Sequence, residues 1–531
     1  MARVRGKFRD VPKPALPVLK RMVADTKDID LLTMFWAIHA IQEDRAEFVK
    51  KNTFTYPPEA ATSDMMSPYA AYPWDLETLI TQTLNEPKSN LLPWKMRPLN
   101  TGDYNGVADI VNTLRAVEDD QSADRLDGSN IMLEMHRIGH RQFQWQTGFQ
   151  RPVDIYRYLY IYGQGACADF FEETNGISIT DFVTICFVLW STHGTIPWTK
   201  KLNGLAQIGM DDALIDKVLP LVSGEIWTVR RESLALLQKV EKGLGVSLPV
   251  IYQPSYLRVK PLLRSGTYNT YIAPLPSLLL LRATVGLYYD IVKGGNPILG
   301  DANARFEAYA RMSLVTYCPG FEAAPAVKYT VKRNPVETPD VLLKQEGRIV
   351  AVFECKATKL TFEAQYGDDP VENASGGYEQ MAKAVFQLWK FFAHVRLGLV
   401  ELNVVDDACA VVLTMDAWTQ MSSELQARII KQAEELAAAK SPEIEAEDKR
   451  HPIFCSIQDL DELLLMSNEE HLLGAFKAAR LDKYIGWGVR QVREREFPAL
   501  EERKKFAFDL EGLFPWWGKF KDRAPPADAA E

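Results

Sequence analysis

Five consecutive apolar residues, Ile349-Val350-Ala351-Val352-Phe353, run directly into Glu354-Cys355-Lys356. A short, continuously apolar run rich in β-branched residues reads as a strand buried on both faces. Such a strand belongs in the middle of a sheet covered by helices, which restricts this part of the chain to an α/β architecture. Just upstream, Lys344-Gln345-Glu346-Gly347-Arg348 is a polar, glycine-containing turn that links the run back to Val341–Leu343. The hairpin so defined brings Asp340 beside the end of the apolar strand. Side chains alternate along a strand, so Glu354 and Lys356 share one side and Cys355 points away.

The rest of the 531 residues falls into place around this hairpin. At the usual 100–200 residues per domain, the length predicts two to four domains. Up to about residue 245 the apolar spacing is helical, for example over 28–51, 75–84, 153–173, 179–190, 211–222 and 225–242. The stretch 85–130 reads as loops around a short helix at 107–117. Short strands are expected at 248–252, 256–263 and 268–272, the last two joined by Arg264-Ser265-Gly266-Thr267, and a helix at 278–292. Helices at 302–316, 378–397 and 423–439 then alternate with strands at 327–331, 341–344, 349–354, 410–415 and 453–457. This yields four regions: 1–245, a helical part for recognition, regulation or oligomerisation; 246–297, a β-hairpin and helix connector; 298–466, the α/β unit with a central mixed sheet; and 467–531, a helical extension whose tail, 523–531, is Ala/Pro/Asp-rich and expected to be disordered.

Charge and cysteine usage narrow the setting. The net charge is −9, which excludes a histone-like basic coat but leaves room for a local basic channel. Residues 301–400 hold 12 Lys/Arg and 12 Asp/Glu, so this window is neutral. Six scattered cysteines without a C-x-x-C pair argue against a zinc ribbon or a disulfide scaffold and for a reducing, cytoplasmic setting. No secretory signal or membrane span is expected: the basic N-terminus has no apolar stretch behind it, and Leu275–Val292 is interrupted by Pro276, Arg282 and Asp290. His136 and His140 lack the glutamate of H-E-x-x-H, so they do not read as zinc ligands.

The carboxylates and the lysine at the hairpin end suit hydrolysis of a phosphodiester. Asp340, Glu354 and the carbonyl of Cys355 offer the all-oxygen donor set that Mg²⁺ (or Mn²⁺) prefers. Lys356 is placed to orient or deprotonate the attacking water. Lys359, Lys383 and Lys390, the last two on the polar face of the 378–397 helix, are candidates for phosphate contacts, as are Arg258, Lys260 and Arg264.

Pro339-Asp340, thirteen intervening residues and Glu354-Cys355-Lys356, in an α-β-β-β-α-β context, resemble the PD-(D/E)XK (restriction-endonuclease-like) nuclease superfamily over roughly 298–466. The resemblance implies metal ligation by Asp340 and Glu354 and a catalytic role for Lys356. It adds Glu307 on the first helix as a further carboxylate and Gln380, with Gln387 second, on the helix after the motif. Position 384 is Ala, which departs from the Q-x-x-x-Y of the exonuclease branch. The implied activity is Mg²⁺-dependent cleavage of DNA as an endonuclease, leaving 5′-phosphate and 3′-hydroxyl ends, in a restriction or anti-phage role. Two alternatives stay open: an RNase on the same fold, and a catalytically inactive nucleic-acid-binding or scaffold protein. The N-terminal region would then serve a homo-oligomer or a protein partner.

Overall fold

The computed structural model describes residues 3–6, 13–50, 53–123, 130–200, 205, 210–419 and 422–515. The expected tail at 523–531 and Trp516-Trp517 lie outside them. The N-terminal half is helical, and the C-terminal half is built on a mixed five-stranded sheet.

The elements that carry the sheet are helix α1 (Gly295–Tyr317), β1 (Glu322–Pro325), β2 (Val341–Gln345), β3 (Arg348–Lys356), α2 (Ser375–Arg396), β4 (Val404–Thr414), α3 (Ser423–Lys440), β5 (Ile453–Ser456) and α4 (Ile457–Met466). The strand order is β5-β4-β3-β2-β1. β2 pairs antiparallel with both β1 and β3, while β3, β4 and β5 run parallel through helical crossovers. β3 is therefore the central strand, as its unbroken apolar sequence requires. The β2–β3 turn is two residues, Glu346 at φ 50° and Gly347 at φ 76°. Both lie in the left-handed region, as in a type I′ hairpin, where glycine is favoured.

Each face of the sheet has its own apolar layer. Val341, Leu343, Ala351, Phe353, Val411 and Leu413 pack with Phe306 and Tyr309 of α1 and Leu460 and Leu464 of α4. Leu342, Ile349, Val352, Ala410 and Val412 pack with α2 and α3 through Met381, Val385, Leu388 and Ile429. A bulge in the β2–β3 pairing resets the alternation around Val350. The first of these clusters runs from Val4 to Phe514 without a gap at residues 245, 297 or 466, so the helical half is packed directly behind the sheet.

Buried ion pairs reinforce that junction. Arg157, on the helix Pro152–Tyr162, has no solvent exposure and donates to Asp154 and to Asp461 of α4, itself fully buried. Asp461 also accepts from the Tyr309 hydroxyl of α1 at 2.9 Å. Further on, Asp75 accepts from Arg115 and Arg141, and Glu77 from Arg258 and from Trp145.

Several elements differ from the sequence expectation. The 153–173 helix is two helices, Pro152–Tyr162 and Gly165–Asn175, broken at Gly163-Gln164-Gly165, where Gly165 takes φ 55°. The supposed loop region holds a 20-residue helix, Tyr104–Ala123. The helix expected at 278–292 is only Ser277–Ala283 followed by short turns. The strand at 327–331 forms, but it pairs with Asn334–Glu337 in a separate two-stranded ribbon. The outer strand of the main sheet is instead Glu322–Pro325, whose Glu-Ala-Ala-Pro sequence carries no β-branched signal. Among the described residues, no single helix is long and apolar enough to cross a membrane.

Candidate active site

The pairing Val341↔Phe353, extended by one residue, sets Asp340 opposite Glu354. The expected convergence of the hairpin end is thus a matter of register. Asp340 Oδ2 accepts from the Cys355 backbone N–H at 2.7 Å, which ties the start of β2 to the end of β3. The Cys355 side chain turns into the α1 face and is buried. Lys356 offers its carbonyl to Met415 beyond β4, so strand alternation turns the backbone polar groups of Cys355 the other way, toward Asp340.

Glu354 is 4% exposed, and the Lys356 ammonium reaches its Oε1 at 2.8 Å. The same ammonium donates to Gln387 Oε1 of α2 at 3.4 Å. On α1, Glu307 faces Arg311 one turn on at 4.0 Å, and Arg311 donates to the Asp340 carbonyl at 3.5 Å. Glu307 is thus the i,i+4 partner of Arg311, which links it to the start of β2.

These groups lie close enough to shift one another's titration. Burial pushes the Glu354 carboxyl up to about 7; Asp340 and Glu307 add to the rise, and Lys356 opposes it. Burial also takes Glu307 to about 7, with Asp340 adding and Arg311 and Lys356 opposing. Asp340 is raised by burial against the pull of the Cys355 N–H and Lys356. Burial works against the charge on Lys356, but Glu354 and Asp340 hold it above the ordinary lysine value. In this structure Lys356 Nζ donates to both Glu354 and Gln387.

Other expected residues sit elsewhere. Gln380 is exposed on α2, seven residues or about 10 Å of helix from Gln387, so the second-choice glutamine is the one at Lys356. Lys383 and Lys390 are half-buried on α2 and have no ion-pair partner among the described residues. Lys359 is not a surface cation: it is buried and paired with Asp416 at 2.7 Å, while Asp416 also accepts from the Leu360 N–H. Arg258 is held by Glu77, Lys260 by the Pro220 carbonyl and Arg264 by Glu225, so all three are engaged within the protein. Arg311 and Asp416 were not anticipated as site residues; the i,i+4 spacing of Arg311 from Glu307 was the available signal for the first, and nothing local marks the second.

The glycine-containing segment 361–377 is more fixed than its composition suggests. It contains two short helices, Phe362–Tyr366 and Pro370–Asn373. His136 meets the Ala364 carbonyl at 3.1 Å, Arg137 donates to the Gly367 carbonyl and pairs with Asp368, and Arg428 pairs with Asp369. The helix Ile131–Thr147 thus grips the segment that follows Lys356.

Among the described residues, no group of three or more His, Cys, Asp or Glu side chains converges to hold a metal ion. Two carboxylates and a carbonyl, all oxygen donors, still fit Mg²⁺, which takes one or two protein carboxylates and completes its shell with water and phosphate oxygens. No protein-family model matches this chain, and neither does any curated protein or solved structure.

Proposed function

We propose that the protein is a metal-dependent nuclease that hydrolyses phosphodiester bonds in DNA, with Asp340, Glu354 and Lys356 as its centre. The observation that carries the reading is the placement of Asp340 opposite Glu354 at the end of a central hairpin, with Lys356 on the same side of the strand and Gln387 against it. The helix–three-strand–helix–strand order and the parallel β3–β4 pair support a restriction-endonuclease-like core.

Asp340 and Glu354, with the Cys355 carbonyl, would hold Mg²⁺ or Mn²⁺. When bound, such an ion polarises the phosphate and stabilises the leaving oxygen. The Cys355 N–H fixes one Asp340 oxygen and leaves the other available. Glu354 keeps the Lys356 ammonium at the strand end, where it can donate to a water or a phosphate oxygen. Gln387 limits the swing of that ammonium from the α2 side. Glu307 adds a further carboxyl from α1 within electrostatic reach of Asp340, available as an oxygen donor or a water partner near the cation.

The test is nicking of supercoiled plasmid by the full-length protein with Mg²⁺ or Mn²⁺, beside Asp340→Ala and Lys356→Ala. Nicking that needs the divalent ion and is lost in both variants is expected. Equal background in all three would overturn the reading. A labelled RNA run in parallel decides the substrate class.

A further inference from the structure

The ribbon between α1 and the site is the part of the α/β half that the fold does not explain. Lys328–Val331 and Asn334–Glu337 pair only with each other, outside the main sheet. Its base is closed by two hydrogen bonds between Val327 and Thr338, two residues before Asp340. Its inner face is fastened to α2, where the Tyr329 hydroxyl meets His394 Nδ1 at 2.7 Å. The ribbon is thus rooted beside Asp340 and tied to α2 at Tyr329.

The tip is unusual. The two-residue turn is Lys332 at φ 48° and Arg333 at φ 71°. Type I′ turns favour Asn-Gly because long side chains are uncommon in the left-handed region. Here two long cations occupy both positions, are exposed, and have no hydrogen-bond or ion-pair partner among the described residues. Lower down, Lys328 is matched across the ribbon by Glu337 at 3.3 Å. The unmatched positive charge is therefore concentrated at the tip. Pro335 sits opposite Thr330 and lacks an N–H, which blunts that edge against addition of another strand. A partner read through charge fits this device better than one read through backbone pairing.

We infer that the Lys332–Arg333 tip is a phosphate-contacting fork that grips duplex DNA to one side of the scissile bond. This inference rests on the nuclease reading above. Four residues of antiparallel strand reach about 13 Å, or about four base steps at 3.4 Å each. A two-stranded ribbon is also narrow enough for the major groove.

The experiment uses full-length protein carrying Lys356→Ala, so that DNA stays intact, and a fluorescent 30-base-pair duplex titrated between 50 and 200 mM salt. Each phosphate contact contributes about 0.9 to the slope of log affinity on log salt. Adding Lys332→Asn/Arg333→Gly removes both charges and installs the preferred turn, so the thermal midpoint is expected to hold or rise. The salt slope is expected to fall by about 1.8, which makes the parent lose about 12-fold more affinity than the variant over this range. Lys332→Gln/Arg333→Gln, with the same charge loss and no glycine, should give the same slope, and Lys332→Arg/Arg333→Lys should keep that of the parent. Unchanged slope and affinity in both charge-loss variants would overturn the fork while plasmid nicking by the wild type left the nuclease reading intact. A wild type that neither nicks plasmid nor binds the duplex would overturn both.

Discussion

Replacing Arg157 by methionine tests how firmly the helical half is bound to the sheet. The guanidinium is fully buried and serves two carboxylates. Asp154 would keep Arg151, which holds it at 2.7 and 3.0 Å. Among the described residues, Asp461 would keep only the Tyr309 hydroxyl, at 2.9 Å. The penalty therefore falls on Asp461, and breaking a buried pair from one side costs about 3–5 kcal/mol. Burial already pushes the Asp461 carboxyl up to about 6, although Arg157 and Tyr309 draw it down. Without Arg157 its value climbs further. An acid whose folded value lies above its unfolded one contributes stability at low pH and loses it as pH rises through the folded value. The Arg157→Met penalty should thus be larger at pH 8 than at pH 5, where protonation removes the stranded charge. Urea unfolding followed by tryptophan fluorescence at both pH values measures it. The double variant Arg157→Met/Asp461→Leu should recover most of the loss, because an apolar pair of similar volume replaces a buried ion pair at little cost. A single-variant penalty below about 1 kcal/mol at pH 8, or one that does not change with pH, would refute this account.

Three further outcomes are expected. Burial takes Glu118 to about 7, with Arg141 opposing and Asp75 adding, so its favourable contribution is complete below about 4.5 and lost as pH rises through about 7. Glu118→Gln should then stabilise the protein at pH 8 by up to about 3 kcal/mol and flatten the pH dependence of unfolding between 4.5 and 7. Gly377→Ala should destabilise by about 1–3 kcal/mol despite the better helix propensity of alanine: the new Cβ would lie 2.1 Å from the Trp418 ring, which is buried and hydrogen-bonded to the Thr358 carbonyl, and thermal melting reads the loss. In the nicking assay, Gln387→Ala should slow cleavage by about tenfold, the worth of one hydrogen bond of about 1.4 kcal/mol, while Gln380→Ala stays near wild type.

The hairpin was legible because three local signals agreed: an apolar run, a glycine turn and a charged end. Those signals bring Asp340 near the charged end but do not set the register: counted from the two-residue turn alone Asp340 would face Phe353, and the bulge around Val350 moves it opposite Glu354. Helix phases were also readable, since α2 presents Met381, Val385 and Leu388 to the sheet as its spacing requires. The choice between Gln380 and Gln387 was not, because both lie on one stripe of α2 and only the height of the helix along β3 separates them. Lys359 was misread for a similar reason. Its partner, Asp416, is 57 residues away and enters only when β4 docks on β3. The outer strand Glu322–Pro325 forms because β2 offers an edge, a tertiary cause that its own residues do not announce.

The Arg157–Asp461 pair has a consequence for synthesis of the chain. The two residues are 304 positions apart. At about 5–20 residues per second, Asp461 emerges roughly 15–60 s after Arg157. For that interval a nascent chain carries an arginine, and an apolar helix face around it, with their final partners not yet made. Early termination anywhere in that span yields a polypeptide that cannot close its own core, so the helical half made alone is expected to be a client of chaperones and proteases rather than a free-standing module.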